Sequence, residues 1–258
     1  MDEDRDGFPV IRRETEREGG AQAPPSSYAR RVPDPQLDRI ATEIVACRAC
    51  PRLVAWREQV ARDKVARFAD EDYWGKPIPG FGDPAARIMI LGLAPAAHGG
   101  NRTGRIFTGD RSGDFLFASM HRCGLASQPT SIARDDGLVL HGAYIAAVNR
   151  CAPPGNKPTP DERDRCLPFL VRELAALGRL RVLVALGAFA WDGAVRALAA
   201  GGDVVPSPKP RFAHAAEAAI GRRTLLGCFH PSQQNTFTGK LTPEMLDAVL
   251  RRGVELAG

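Results

Sequence analysis

The sequence predicts an α/β fold, a three-layer α/β/α sandwich around a four-stranded, mostly parallel central sheet. Three observations lead there. Four short runs are apolar at nearly every position, as strands buried on both faces are. Helical patterns separate the runs, and alternating strands and helices make an open α/β sheet. Each run closes on turn chemistry, and the unusual residues of the chain stand just after those ends, where open sheets bind ligands.

In chain order, residues 1–34 combine charge runs with Ala23-Pro24-Pro25-Ser26-Ser27 and almost no aliphatic side chains. Such a stretch buries too little apolar surface to offset its ordering entropy and is expected to be a flexible tail. Residues 35–258 then form the folded domain, starting with a helix over about Gln36 to Ala46 that leads into Cys47. The strand runs are Arg87 to Leu93, Ala143 to Asn149, Arg181 to Gly187 and Thr224 to Phe229. Helical patterns cover about Gly113 to Arg122, Pro160 to Leu177 and Ala188 to Ala199. A last helix begins at Leu241-Thr242-Pro243, with Thr242 as N-cap and Pro243 in the first helical position.

Composition narrows the class. The chain has 258 residues, enough for one sizeable core. No run approaches eighteen uninterrupted apolar residues, so no membrane span is expected. The first twenty residues are rich in Asp, Glu and Arg, unlike a secretory signal, and a cytoplasmic monomer is expected. Net charge is +5, and residues 1–34 carry −2 of it, so residues 35–258 carry +7. A basic folded part suits a polyanionic partner such as nucleic acid.

Six cysteines in a cytosolic chain are read for metal binding before disulfides. Cys47-Arg-Ala-Cys50 is a close pair, and Cys151 and Cys166 flank a Pro-rich turn. Four thiolates are the ligand count of a [4Fe–4S] cluster or of a structural zinc. Zinc fingers usually bring two tight pairs, and the second pair here is spread out, which favours iron–sulfur; four unliganded core cysteines are the third reading. Cys123 and Cys228 read as small core residues.

The segment Gly92-Leu-Ala-Pro-Ala-Ala-His-Gly-Gly-Asn-Arg-Thr-Gly-Arg-Ile-Phe-Thr-Gly-Asp110 resembles the first motif of the family 5 uracil-DNA glycosylases. His230-Pro-Ser-Gln-Gln-Asn-Thr-Phe-Thr-Gly239 is similar to their second motif. Asn149-Arg-Cys-Ala-Pro-Pro-Gly-Asn-Lys-Pro158 resembles the stretch that carries a cluster ligand in families 4 and 5. The likeness runs from about Cys47 to Leu256. The turn Gly92-Leu93-Ala94-Pro95 lacks the acid that other families place there, which is the family 5 pattern.

The resemblance implies removal of uracil, and of other deaminated bases such as hypoxanthine, from DNA, with Cys47, Cys50, Cys151 and Cys166 as ligands of a [4Fe–4S] cluster. In a prokaryote such an enzyme works at the nucleoid. Breaking an N-glycosidic bond develops positive charge on the sugar and negative charge on the base, and preorganised groups aimed at those charges are the usual largest catalytic effect. His230 is the expected donor to the base carbonyl, ideally as a neutral imidazole. Asp110 would stabilise the sugar cation or orient the water; the plainer reading is a helix cap. Asn156 matches a polar position that assists the family's catalysis, and is otherwise a turn residue. Phe107 matches the aromatic that stacks on the flipped base. Gly92 and Ala94 line the expected pocket, while Ser232 and Asn235 suit phosphate or groove contacts. His98 and Asn101 are weaker candidates for holding the water. Arg102, Arg105, Arg111 and Lys157 are candidate phosphate contacts. A non-catalytic iron–sulfur module that recognises DNA lesions is the competing reading, and a zinc-stabilised hydrolase of free nucleotides a third.

Overall fold

The computed structural model describes residues 34–258. The expected tail lies outside the described residues, Asp34 apart. The sheet strands are β1 (Phe81–Gly82), β2 (Ile88–Gly92), β3 (Ala143–Ala147), β4 (Val182–Leu186), β5 (Glu217–Ile220) and β6 (Arg223–Cys228). The helices are α1 (Pro35–Ala46), α2 (Pro51–Asp63), α3 (Gly100–Thr103), α4 (Arg111–Arg122), α5 (Pro160–Ala176), α6 (Ala188–Ala200), α7 (Gln233–Phe237) and α8 (Pro243–Ala257).

The sheet has six strands in the order β1-β3-β2-β4-β6-β5, not four. The four apolar runs are its centre, and all of them pair in parallel. The two additional strands are antiparallel edges. Both escape a search for apolar runs for physical reasons. β1 is two residues long, and β5 is Glu217-Ala-Ala-Ile220, exposed on alternate positions and poor in large side chains. A tight turn through Gly221, at φ +57°, joins β5 to β6.

The continuous apolar runs are explained by two cores, one on each face of the sheet. Ile88, Ile90, Ile145, Val182, Val184 and Leu226 face α4 and α8, against Leu116, Phe117, Met120, Leu246 and Leu250. The intervening Met89, Leu91, Leu183 and Leu225 face α1, α5 and α6, against Leu37, Leu170, Leu174, Trp191 and Leu198. Each such side chain fully buried contributes about 1.5–3 kcal/mol. Helix starts are chemically fixed. Asp34 caps α1 through the amides of Gln36 and Leu37, at 2.9 and 3.0 Å. Thr159 and Glu162 form a reciprocal capping box on α5, and the Thr242 hydroxyl accepts from Met245 N at the start of α8. The parallel strands end together along one edge, where Gly92 closes β2 and Asn149, Gly187 and His230 follow β3, β4 and β6.

Candidate active site

Phe107 is the centre of the candidate site at that edge, where it is 5% exposed and packs with the core on the α4 and α8 face. Its backbone is left-handed at φ +54°, a costly state for a bulky residue that persists only when its surroundings impose it. Two glycines make room for it. A β-carbon on Gly113 would stand 1.9 Å from the Phe107 carbonyl oxygen, so the first turn of α4 can close on Phe107 only because residue 113 has no side chain. A β-carbon on Gly92 would lie 2.8 Å from the Phe107 ring, which therefore rests on the end of β2. The ring also neighbours His230, with centroids 6.0 Å apart and planes inclined at 37°.

His230 leaves β6 in a turn held by Asn235, whose Nδ2 donates to the His230 carbonyl at 2.8 Å. Burial lowers the imidazole pKa to about 4, so the ring is neutral at pH 7. No protein group among the described residues hydrogen-bonds its ring nitrogens, which leaves them free to meet a ligand. Ser232 stands at the N-cap of α7 without using its hydroxyl as a cap.

Asp110 holds two positions at once. Oδ1 accepts from Gly113 N at 2.9 Å and caps α4. Oδ2 turns to the glycine-rich loop, where a β-carbon on Gly99 would meet it at 2.0 Å. Burial raises its carboxyl pKa, against the opposing pull of the Gly113 amide. The cap is thus made by Oδ1, and Oδ2 is the oxygen that faces the loop. Ala94 lies half-buried in the turn after β2, with no acid beside it.

Other expected residues fall elsewhere. Asn156 is exposed, at φ +56° on the tip of a 3₁₀ turn, and no hydrogen bond or ring contact among the described residues joins its side chain to Phe107, Asp110 or His230. Asn101 is buried and turned away, its Nδ2 donating to Arg57 O at 3.1 Å. The His98 Nδ1 is 3.1 Å from the Tyr73 hydroxyl. Arg102 and Arg105 are not free for phosphate. Arg102 is buried, ion-paired with Glu71, and donates to Gly109 O at 2.9 Å. Arg105 is buried against Asp136 at 2.7 Å and Ser131 Oγ at 2.8 Å. Both brace the loop from inside, a role that the identity of the residue alone does not reveal. Arg111 and Lys157 are exposed.

Two groups were not anticipated. Phe237, 71% exposed at the end of α7, lies with its ring 5.8 Å from the Arg111 guanidinium carbon. Asn149 is wholly buried just after β3, with neither side-chain polar atom partnered. A separate cavity, lined by Trp191, Asp192 and Pro208 to Phe212, contains none of these groups.

Behind the edge, Cys47 closes α1, Cys50 opens α2, Cys151 follows β3 and Cys166 lies in α5. All four are free thiols lining one pocket. Among the described residues, no three His, Cys, Asp or Glu side chains form a ready group for a metal ion. Burial pushes the Cys151 thiol up to about 11 and Cys166 up to about 12. Two buried donors point at sulfur: Arg57 Nη1 is 3.1 Å from Cys151 Sγ, and Arg150 N is 3.4 Å from Cys166 Sγ.

Comparison with known proteins decides the family. The model of the uracil DNA glycosylase superfamily matches residues 79–252, two thirds of the chain. The chain belongs to the uracil DNA glycosylase superfamily. The matched region contains every residue of the candidate site just described, from Gly92 to Asn235, together with Cys151 and Cys166. Within the superfamily, the chain is 55% identical over 217 residues to the Type-5 uracil-DNA glycosylase of Mycobacterium tuberculosis, covering 83% of this chain and 80% of that one. It is 52% identical over 216 residues to the Type-5 enzyme of Thermus thermophilus, covering 83% and 95%. Likeness to the Type-4 uracil-DNA glycosylase of Archaeoglobus fulgidus is weaker, 33% over 155 residues, covering 60% and 61%. No helix among the described residues is long and apolar enough to cross a membrane.

Proposed function

We propose that this chain is a monomeric DNA glycosylase. It hydrolyses the N-glycosidic bond of uracil, and of other deaminated bases such as hypoxanthine, in DNA. The observation that carries the reading is the convergence of Gly92, Phe107, Asp110 and His230 at the carboxyl edge of the parallel sheet. The target base must leave the stack to be reached. Phe107 offers a flat wall that accepts several bases without reading their edges. His230, neutral at working pH, donates a hydrogen bond to the base carbonyl as negative charge builds there. Asp110 supplies negative charge for the developing sugar cation or holds the attacking water, while its other oxygen fixes it to α4. Ser232 and the exposed Arg111 and Lys157 suit phosphate contacts. Phe237 suits the gap that an extruded base leaves, since apolar side chains inserted between base steps stabilise opened duplexes.

Cys47, Cys50, Cys151 and Cys166 would hold a [4Fe–4S] cluster. Four thiols around one pocket supply the ligand count, and the donors from Arg57 and Arg150 suit thiolates rather than thiols. When bound, the cluster supplies a cross-link between α1, α2, α5 and the β3 end; hydrolysis needs no electron.

The test is base release from a uracil-containing oligonucleotide by protein of measured iron content. Abasic sites formed by iron-loaded protein support the reading. Binding of DNA without base release would transfer the motifs to a lesion-recognition module.

A further inference from the structure

We propose that Arg57 ties the cysteine pocket to the catalytic loop: its guanidinium balances the charge of the cluster thiolates while its backbone carbonyl anchors the glycine-rich loop that supports Asp110. The proposal rests on the cluster reading above.

Arg57 lies on the inner face of α2 and is 2% exposed. Among the described residues, the other buried arginines each have a close carboxylate partner: Arg102 with Glu71, Arg105 with Asp136, Arg150 with Glu173 and Arg223 with Asp203. Arg57 does not. Its nearest carboxylate, Glu58, is 3.8 Å away and is engaged by Arg48 at 2.5 Å. A buried cation whose one carboxylate neighbour is long and shared with another arginine is poorly compensated, so a further anion belongs beside it. What stands beside it is Cys151 Sγ, at 3.1 Å from Nη1, with the Cys47 carbonyl at 3.4–3.5 Å from the two terminal nitrogens. Cys151 as a thiol offers no charge; Cys151 as a thiolate ligand does. Hydrogen bonds to the sulfurs and local charge are also what tune such clusters.

The other end of the residue reaches the active site. The Arg57 carbonyl accepts from Asn101 Nδ2 at 3.1 Å, and Asn101 is 1% exposed in α3. Gly99, two residues earlier, packs under Asp110 Oδ2, and Arg102, the next residue, donates to Gly109 O. One continuous path of contacts therefore runs from Cys151 through Arg57 and Asn101 to the carboxylate. A shift of α2 when the pocket empties moves the floor beneath Asp110.

The experiment compares cluster-loaded wild type, Arg57→Met, Arg57→Lys and Asn101→Ala. Visible absorbance is followed under excess iron chelator, and amide deuterium exchange is followed over residues 99–104. Losing a hydrogen bond to a charged group predicts iron loss from Arg57→Met faster by about ten-fold or more, with faster exchange in the loop. Arg57→Lys, which keeps a cation and serves if the methionine variant does not fold, should lose iron at an intermediate rate. Asn101→Ala should keep iron at the wild-type rate yet exchange faster over 99–104. Wild-type iron retention in both Arg57 variants overturns the charge role, and unchanged loop exchange in Asn101→Ala overturns the anchor. Wild-type protein that carries zinc or no metal sinks the cluster reading itself, a result seen before any variant is made.

Discussion

Replacing Gly92 by alanine tests whether Phe107 is the wall of the base pocket. Gly92 has no positive φ, so the backbone accepts a side chain and the whole effect comes from contact. The new methyl would stand 2.8–2.9 Å from two ring atoms of Phe107, against an ordinary carbon–carbon separation of about 3.5–4.0 Å. The ring cannot retreat with its backbone, because the Phe107 carbonyl is already pressed on Gly113. It must turn about its side-chain torsions, which disturbs its packing with His230, whose ring centroid is 6.0 Å away. Overpacking of this kind costs about 1–3 kcal/mol, and each kcal/mol lowers the melting temperature of a domain this size by roughly 2–4 °C. The functional cost is larger. A displacement of about 1 Å at a catalytic centre costs about 10²-fold in rate. Single-turnover release of uracil from a single-stranded oligonucleotide, with saturating enzyme, measures that rate apart from product release. Calorimetry of the same samples measures the melting temperature. Adding Phe107→Leu should recover part of the lost stability by withdrawing the ring, without restoring the rate. A Gly92→Ala protein that releases uracil at the wild-type rate would refute the argument, for the pocket would then not include the ring face that the methyl displaces.

Asp110→Asn preserves the cap on α4, since Asn caps as well as Asp, and should lower base release by about 10²–10³-fold at unchanged melting temperature; a fall in melting temperature at normal rate would assign the residue to the cap alone. Because burial raises the Asp110 carboxyl and the reaction needs its ionised form, wild-type activity should decline with falling pH from above the usual aspartate range, measurable as a pH–rate profile. His230 titrates at about 4 in the folded chain against 6.5 unfolded, so folding favours the neutral ring. Its contribution is intact above pH 6.5 and is lost as pH falls toward 4, by about 3 kcal/mol, and denaturant unfolding of His230→Asn should lack that part of the acid destabilisation. Cys166→Ser should reduce iron content and melting temperature together; full iron in the purified variant would remove Cys166 from the ligand set. Phe237→Ala should slow base release from duplex DNA far more than from a single strand, and equal loss on both would exclude a role in opening the duplex.

What the sequence reveals and conceals follows from how each feature is encoded. β2, β3, β4 and β6 are legible because a strand buried on both faces must be apolar throughout, and the two cores on either side of the sheet account for that pattern position by position. β5 is not, because an edge strand of Glu and Ala satisfies its ladder without an apolar signature. α2 is hidden by its most consequential residue. Its buried face is Leu53, Val54, Arg57 and Val60, a helical spacing in which Arg57 interrupts the apolar stripe. The interruption is itself the signal: an arginine at a core-facing position needs an anion, and the nearby Cys47-Arg-Ala-Cys50 pair can supply one where the adjacent Glu58 is engaged by Arg48. The same logic separates the arginines of the glycine-rich loop. Arg102 and Arg105 share the charge of Arg111 but are consumed by Glu71 and Asp136, which lie 31 residues from them in the chain, a distance no local pattern spans. The pocket shows the limit most clearly. Gly92, Phe107, Asp110 and His230 are each marked in the sequence, but what makes them a site is that two glycines let Phe107 hold a left-handed backbone with its ring against the end of β2 and near His230. That fact depends on the absence of side chains at Gly92 and Gly113, which a sequence records as two ordinary glycines among twenty-six. Chemistry is thus written in the residues that react, and geometry in those that leave room.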